Sequence, residues 1–165
     1  MALFTVKGKP THTSGDLPGK GTDAPDFQLV TTDLGTMSLS ELKGKKVILN
    51  IFTSLDTSVC ATSVRKFNKM AAGKTNVVVL AISKDLPFAH KRFCSTEGIE
   101  NVVPLSGFRD GKFGRSYGVE IVDGPLTGLY TRSIVVVDEK GKVAYTQLVP
   151  EHSSEPDYEA ALAAL

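Results

Sequence analysis

The run Val47-Ile48-Leu49-Asn50-Ile51-Phe52 has the length of a strand and is almost continuously apolar, a pattern that suits a strand covered on both faces. A helical pattern follows from Ser58 to Ala72, with Val59, Val64, Phe67 and Met70 near helical spacing and Gly73 as its stop. Val77 to Ile82 is a second buried strand. Pro87 opens another helix that ends by Gly98, Val102 to Leu105 is a third short strand, and Gly111 to Tyr117 a short helix. Ser133 to Val137 and Val143 to Leu148, joined by the turn Asp138 to Gly141, read as a hairpin, and Asp157 to Leu165 as a closing helix.

Strands alternating with helices predict a parallel core to which the last hairpin adds antiparallel strands. Upstream, Met1 to Ser14 alternates around Gly8-Lys9-Pro10 and reads as a small hairpin turning at Gly8 to Pro10. Pro18 to Pro25 is a connector. Phe27 to Val30 is a short strand, Met37 to Leu39 another, and Ser40 to Lys43 a single helical turn ended by Gly44. The expectation is an α/β fold in one domain over residues 1–165, with a mixed central sheet flanked by helices and an N-terminal β-hairpin. The thioredoxin-like fold is the best-known arrangement with this order.

Composition narrows the function. Nineteen Lys and Arg against eighteen Asp and Glu leave a formal charge of +1, which gives no electrostatic case for nucleic acid or an anionic membrane. No apolar run is long enough to span a bilayer, and residues 1–18 lack the charged start and apolar stretch of a Sec-type signal. A cytoplasmic location is expected, although a processed mature (periplasmic) chain would look the same. His12, His90 and His152 are scattered, and only His90 falls within ligand spacing of a cysteine, so no metal is expected.

Two cysteines cannot staple a chain of this size, which turns attention to their chemistry. Cys60 falls in the first turn of the helix that follows the central strand. There it faces unpaired backbone N–H groups and the positive end of the helix dipole, both of which favour the nucleophilic thiolate. Functional residues of open α/β sheets collect beyond the C-terminal ends of strands, where the segment from Thr53 to Cys60 lies. Thr57 precedes the helix as a candidate N-cap whose hydroxyl can also serve a thiolate or substrate. A buried structural cysteine is the alternative that the residues leave open.

Cys60-Ala61-Thr62-Ser63 has the form C-x-x-S, so no resolving thiol lies in the same motif, and any intramolecular partner must be Cys94 on a different helix. Whether the two can meet is not written in the sequence. Arg132 stands at a strand start from which it can project towards the site; a solvated surface arginine is the competing reading. Arg65, Lys66 and Lys69 read as solvent-facing charges on the Cys60 helix.

Several separated motifs in order resemble the peroxiredoxins, and most closely their bacterial thiol peroxidase branch of atypical two-cysteine enzymes. They are Asp56-Thr57-Ser58-Val59-Cys60, Ser63 to Asn68, Asp85-Leu86-Pro87-Phe88-Ala89, Arg92-Phe93-Cys94, Tyr117-Gly118-Val119, Asp123 to Leu126, Arg132-Ser133 and Glu155 to Ala160. The resemblance covers nearly the whole chain. It implies a thioredoxin-like fold and a homodimer. It also implies that Cys60 is the peroxidatic cysteine, that Thr57 and Arg132 activate it, and that Cys94 resolves it into an intramolecular disulfide. Hydrogen peroxide and organic hydroperoxides would be substrates and thioredoxin the reductant, with no cofactor, because sulfur carries the redox change. Phe88, Phe93 and Leu126 are candidates for an apolar approach surface. A thiol–disulfide oxidoreductase of the same fold and a non-enzymatic peroxide sensor are the rival functions; the missing C-x-x-C counts against the first.

One position departs from the family's Pro-x-x-x-Thr/Ser-x-x-Cys signature: Thr53 stands where proline is usual. Proline fixes φ and removes an N–H, so Thr53 restores a donor, adds a hydroxyl and loosens the loop. Thr53→Pro is therefore expected to increase peroxide turnover, and an unchanged or lower second-order rate constant would contradict that expectation.

Overall fold

The computed structural model describes residues 1–109 and 111–165. The apolar run forms β5 (Lys46–Ile51) near the middle of a seven-stranded sheet. Its parallel neighbour is β6 (Val77–Ser83), which pairs in turn with β7 (Val102–Ser106). On the other side β8 (Ser133–Val137) and β9 (Val143–Leu148) run antiparallel, and β3 (Gln28–Val30) and β4 (Thr36–Ser38) extend the far edge. The strand order is β4-β3-β7-β6-β5-β8-β9, the mixed sheet expected of a thioredoxin-like fold. The single turn after β4 is a 3₁₀ helix at Leu39–Leu42.

Alternation along β5 divides the core. Val47, Leu49 and Ile51 face a layer containing Leu80, Ile82, Phe113 and Tyr130. Ile48 and Phe52 face the opposite layer with Val64, Phe67, Val79 and Tyr158. Full burial of side chains like these contributes about 1.5–3 kcal/mol each. The second layer is roofed by α1 (Ser58–Ala71), α2 (Pro87–Glu97) and α4 (Tyr158–Ala163). In α1 the buried residues Cys60, Ser63, Val64 and Phe67 recur at helical spacing, so the stripe that buries the helix also buries the cysteine. Gly73, at φ 76°, takes the chain out of the helix. Pro87 opens α2 and Gly98, at φ 65°, closes it. Asp157 caps α4 by accepting from the Ala160 N–H at 3.0 Å. The short α3 (Lys112–Ser116) lies against the first layer through Phe113.

The N-terminal hairpin comprises β1 (Leu3–Val6) and β2 (Lys9–His12). Its turn is Lys7-Gly8, not Gly8 to Pro10. Both turn residues have positive φ, 51° and 76°, as a two-residue type I′ turn requires, and Pro10 lies within β2 opposite Thr5. A two-stranded ribbon tolerates that proline because an edge position need not donate to a ladder.

Pairing at the end of β5 sets the address of the site. Ile51 lies opposite Ser133, which puts Arg132 beside Phe52, and the Phe52 N–H donates to Ile82 at the end of β6. Opposite Ser133 on its other side is Leu148, so the segment after β9 passes the same place. Three chain segments therefore converge where α1 begins.

Candidate active site

Cys60 is fully buried in the first turn of α1. The Arg132 Nη1–H group lies 3.1 Å from its Sγ. Arg132 is only 1% exposed, so it is not a solvated surface arginine. A buried guanidinium needs acceptors for its remaining N–H groups. Nε and Nη2 both donate to the His152 carbonyl, at 3.2 and 2.9 Å, which leaves Nη1 aimed at sulfur. A cation at this distance stabilises negative charge on sulfur and can also donate to an oxygen bound beside it.

The helix start is fixed from beneath by a polar chain. Buried Asn50 on β5 donates to Ser63 Oγ at 3.2 Å, and Ser63 donates to the Cys60 carbonyl at 2.8 Å. Asn50, the polar residue that interrupts the apolar run of β5, thus ties the first turn of α1 to the sheet. Thr57 occupies the N-cap position with extended backbone, yet its side chain makes no cap bond. The hydroxyl instead donates to the Ser54 carbonyl at 2.8 Å, tightening the loop that leads into the helix. Thr53 is 2% exposed, and its Oγ1 lies 3.5 Å from His152 Nδ1. Burial first and the Arg132 cation second hold His152 below its ordinary pKa, against the opposing pull of Glu151.

Asp85, between β6 and α2, ties this loop to the neighbouring helix. Its carboxylate accepts from Ser54 Oγ at 2.7 Å, from the Leu55 N–H at 2.8 Å and from Ser83 Oγ at 2.6 Å. Ser83 Oγ in turn lies 3.1 Å from Nε2 of His90, a buried residue of α2. Because the Ser83 hydroxyl proton goes to Asp85, Nε2 is the protonated nitrogen of a neutral His90. Its Nδ1 has no partner among the described residues.

Cys94 lies half-buried on α2 against the same core layer as Cys60, and both thiols are free. Burial pushes the Cys94 thiol up, so it is protonated at neutral pH. Contacts between the helices hold α2 beside α1. Arg65 makes a two-nitrogen contact with Glu97 at 3.0 and 2.8 Å and lies over the Phe93 ring, while Arg92 reaches Asp56 at 3.5 Å. Lys66 faces outward too but is paired, with Glu155 at 3.0 Å, and Lys69 is simply exposed. Of the apolar candidates, Phe88 is exposed, Leu126 half-buried and Phe93 packed against the core. Sequence reasoning missed Asn50, Asp85 and His152; only the polar interruption of β5 and the acid two residues before Pro87 offered a signal.

A buried first-turn cysteine facing a buried arginine on a thioredoxin-like sheet defines a thiol-based redox protein. Residues 19–162 match the redoxin family. A thiol peroxidase of Corynebacterium glutamicum is 59% identical over 165 residues, covering 100% of this chain and 99% of the relative. A thiol peroxidase of Mycobacterium tuberculosis is 57% identical over the same span, again with 100% and 99% coverage. Among solved structures, a peroxiredoxin-like protein from Aquifex aeolicus superposes with a TM-score of 0.93 at 39% identity, covering 99% of this chain and 96% of that one. The chain belongs to the redoxin family and, within it, to the thiol peroxidase branch of the peroxiredoxins.

His90 makes the stability of this region depend on pH. Burial lowers it from 6.5 to about 4, despite the neighbouring Asp85 carboxylate. The folded form therefore resists protonation more than the unfolded chain does. Its contribution is complete above 6.5 and is lost as pH falls towards 4, by about 3 kcal/mol at most. Between pH 7 and 4.5 the wild type should lose about 2 kcal/mol more unfolding free energy than His90→Gln does. Equal losses in urea titrations of the two proteins would contradict this assignment.

Proposed function

We propose that the chain, acting as one unit over residues 1–165, reduces hydroperoxides through Cys60 and resolves the product with Cys94. The observation that carries this reading is the 3.1 Å contact between a buried arginine and the first-turn cysteine. The Cys60 thiolate attacks the terminal oxygen of the hydroperoxide as the O–O bond breaks. Sulfur is oxidised to sulfenic acid, the peroxide is reduced, and the departing alkoxide or hydroxide takes up a proton and leaves as alcohol or water. Arg132 stabilises charge on the departing oxygen. Thr57 Oγ1 can accept a hydrogen bond from the peroxide O–H while its own O–H keeps donating to the Ser54 carbonyl.

In the second step Cys94 sulfur attacks the sulfenic sulfur, a disulfide forms and water leaves. The Cys94 proton accompanies the departing hydroxide. Closing that bond requires Cα atoms within about 7 Å, and α2 is the more loosely held of the two helices, since only Pro87 and His90 of its side chains are fully buried. An external dithiol of the thioredoxin type then reduces the disulfide by exchange, restoring both thiols. No metal, haem or flavin enters the cycle. Working as a cytoplasmic homodimer is part of this reading and rests on the family resemblance; no helix among the described residues is long and apolar enough to cross a membrane.

The test is peroxide consumption by single variants with a thioredoxin system. Cys60→Ser should abolish turnover. Cys94→Ser should complete one turnover and leave a Cys60 sulfenic acid that dimedone traps. Arg132→Gln should slow the first step by about 10²–10³-fold, the scale of losing one preorganised charge-stabilising donor. Wild-type turnover in Cys60→Ser would overturn the assignment.

A further inference from the structure

The N-terminal hairpin does not lie idle against the domain. Its Thr5 brackets the segment after β9: the Thr5 N–H donates to the Pro150 carbonyl and the His152 N–H donates to the Thr5 carbonyl, both at 2.8 Å. Between them, the Glu151 side chain enters the hairpin turn. There it accepts from the backbone N–H groups of Lys7 at 3.0 Å and Gly8 at 3.2 Å, and from the Thr5 hydroxyl. Two successive turn residues with positive φ present their N–H groups together, and such a pair is a ready seat for a carboxylate. These contacts hold Glu151 ionised, at about 2, with the Thr5 hydroxyl as the largest cause.

The segment fixed in this way, through the His152 N–H, leads directly into the His152–Ser153 peptide, whose carbonyl is the site's least conspicuous functional atom. The His152 carbonyl is the acceptor for two of the three Arg132 nitrogens that make hydrogen bonds, and its orientation decides where the third, Nη1, points. A shift of that peptide turns a buried guanidinium whose one other hydrogen bond among the described residues is the one to Cys60 Sγ. Displacements of about 1 Å at a reacting centre cost on the order of 10²-fold in rate.

We propose that the hairpin is a working part of the reaction centre, with Glu151 as the positioning residue that seats the His152 carbonyl and so aims Arg132 at Cys60. The proposal rests on the assignment of Cys60 and Arg132 above. It commits the chain from Thr5 through Glu151 and His152 to Arg132 as one mechanical path. The hairpin then serves the chemistry as well as stability.

The experiment measures two reactions of Cys60 in a Cys94→Ser background: oxidation by cumene hydroperoxide, and alkylation by iodoacetamide, which needs no peroxidase activity. Glu151→Ala should slow both by about tenfold at temperatures well below its melting midpoint, a barrier change of about 1.4 kcal/mol. In an Arg132→Gln background the same change should have no further effect, because the path it acts through is gone. Thr5→Val, which removes the hydroxyl's contacts with Glu151 and the Pro150 carbonyl but keeps the backbone bonds, should give a smaller loss in the same direction and serves if Glu151→Ala does not fold. Alkylation unchanged in both variants, or an equal loss with and without Arg132, would overturn the proposal and leave the hairpin a structural brace. Alkylation that responds as expected while no form of the protein reacts with peroxide would uphold the positioning path and overturn the peroxidase assignment instead.

Discussion

A guanidinium withdrawn from water and pointed at a thiol is the interaction on which the rest of this molecule depends. Removing an arginine from solvent costs several kcal/mol unless its donors are satisfied, and here two go to one carbonyl and one goes to sulfur. The antiparallel pairing of β5 with β8 brings Arg132 to the point where α1 begins. The return of β9 alongside β8 supplies the His152 carbonyl. The thioredoxin-like sheet is thus a device for bringing three strand ends to one place, and the site occupies their meeting point.

The two cysteines sit on helices held in different ways. Cys60 is anchored from below by Asn50 and Ser63 and from the side by Arg132, on a helix whose stripe runs deep into the core. Cys94 rides on α2, which fully buries only Pro87 and His90, packs Phe93 and Cys94 partly against the core, and is tied to α1 and the loop before it by exposed ion pairs worth little individually. Elements with few buried contacts open first. Under the proposed cycle, a firmly anchored Cys60 suits a step that needs an aligned site, and a more loosely held Cys94 suits a step in which the two sulfurs must meet. Asp85 links the two, because one carboxylate holds both the loop before Cys60 and, through Ser83 and His90, the inner face of α2.

Much of this architecture was legible in the sequence. The apolar Val47–Phe52 run, the strand–helix alternation after it and the first-turn position of Cys60 follow from periodicity and from where helices start, both local properties. Arg132 could be located but not buried, since its depth depends on β5 pairing with β8 across about eighty residues. Thr57 was placed at the N-cap, yet Ser54 competes successfully for its hydroxyl. Gly8-Lys9-Pro10 points to a turn one residue too late, because Lys7 takes the positive φ that lets Gly8 share a two-residue turn. The contacts that tie Asn50 to Ser63, Asp85 to Ser54 and Glu151 to the hairpin turn join separate segments of the chain, so a local pattern can mark the residue but not its partner.

The most direct test is a peptide map of fully reduced protein after one equivalent of cumene hydroperoxide, with free-thiol labelling and intact mass. A loss of two hydrogens, disappearance of both labels and a linked peptide containing Cys60 and Cys94 are the predicted result. An unchanged mass with both thiols still labelled would contradict it, because a thiol that Arg132 holds ready should not survive its substrate.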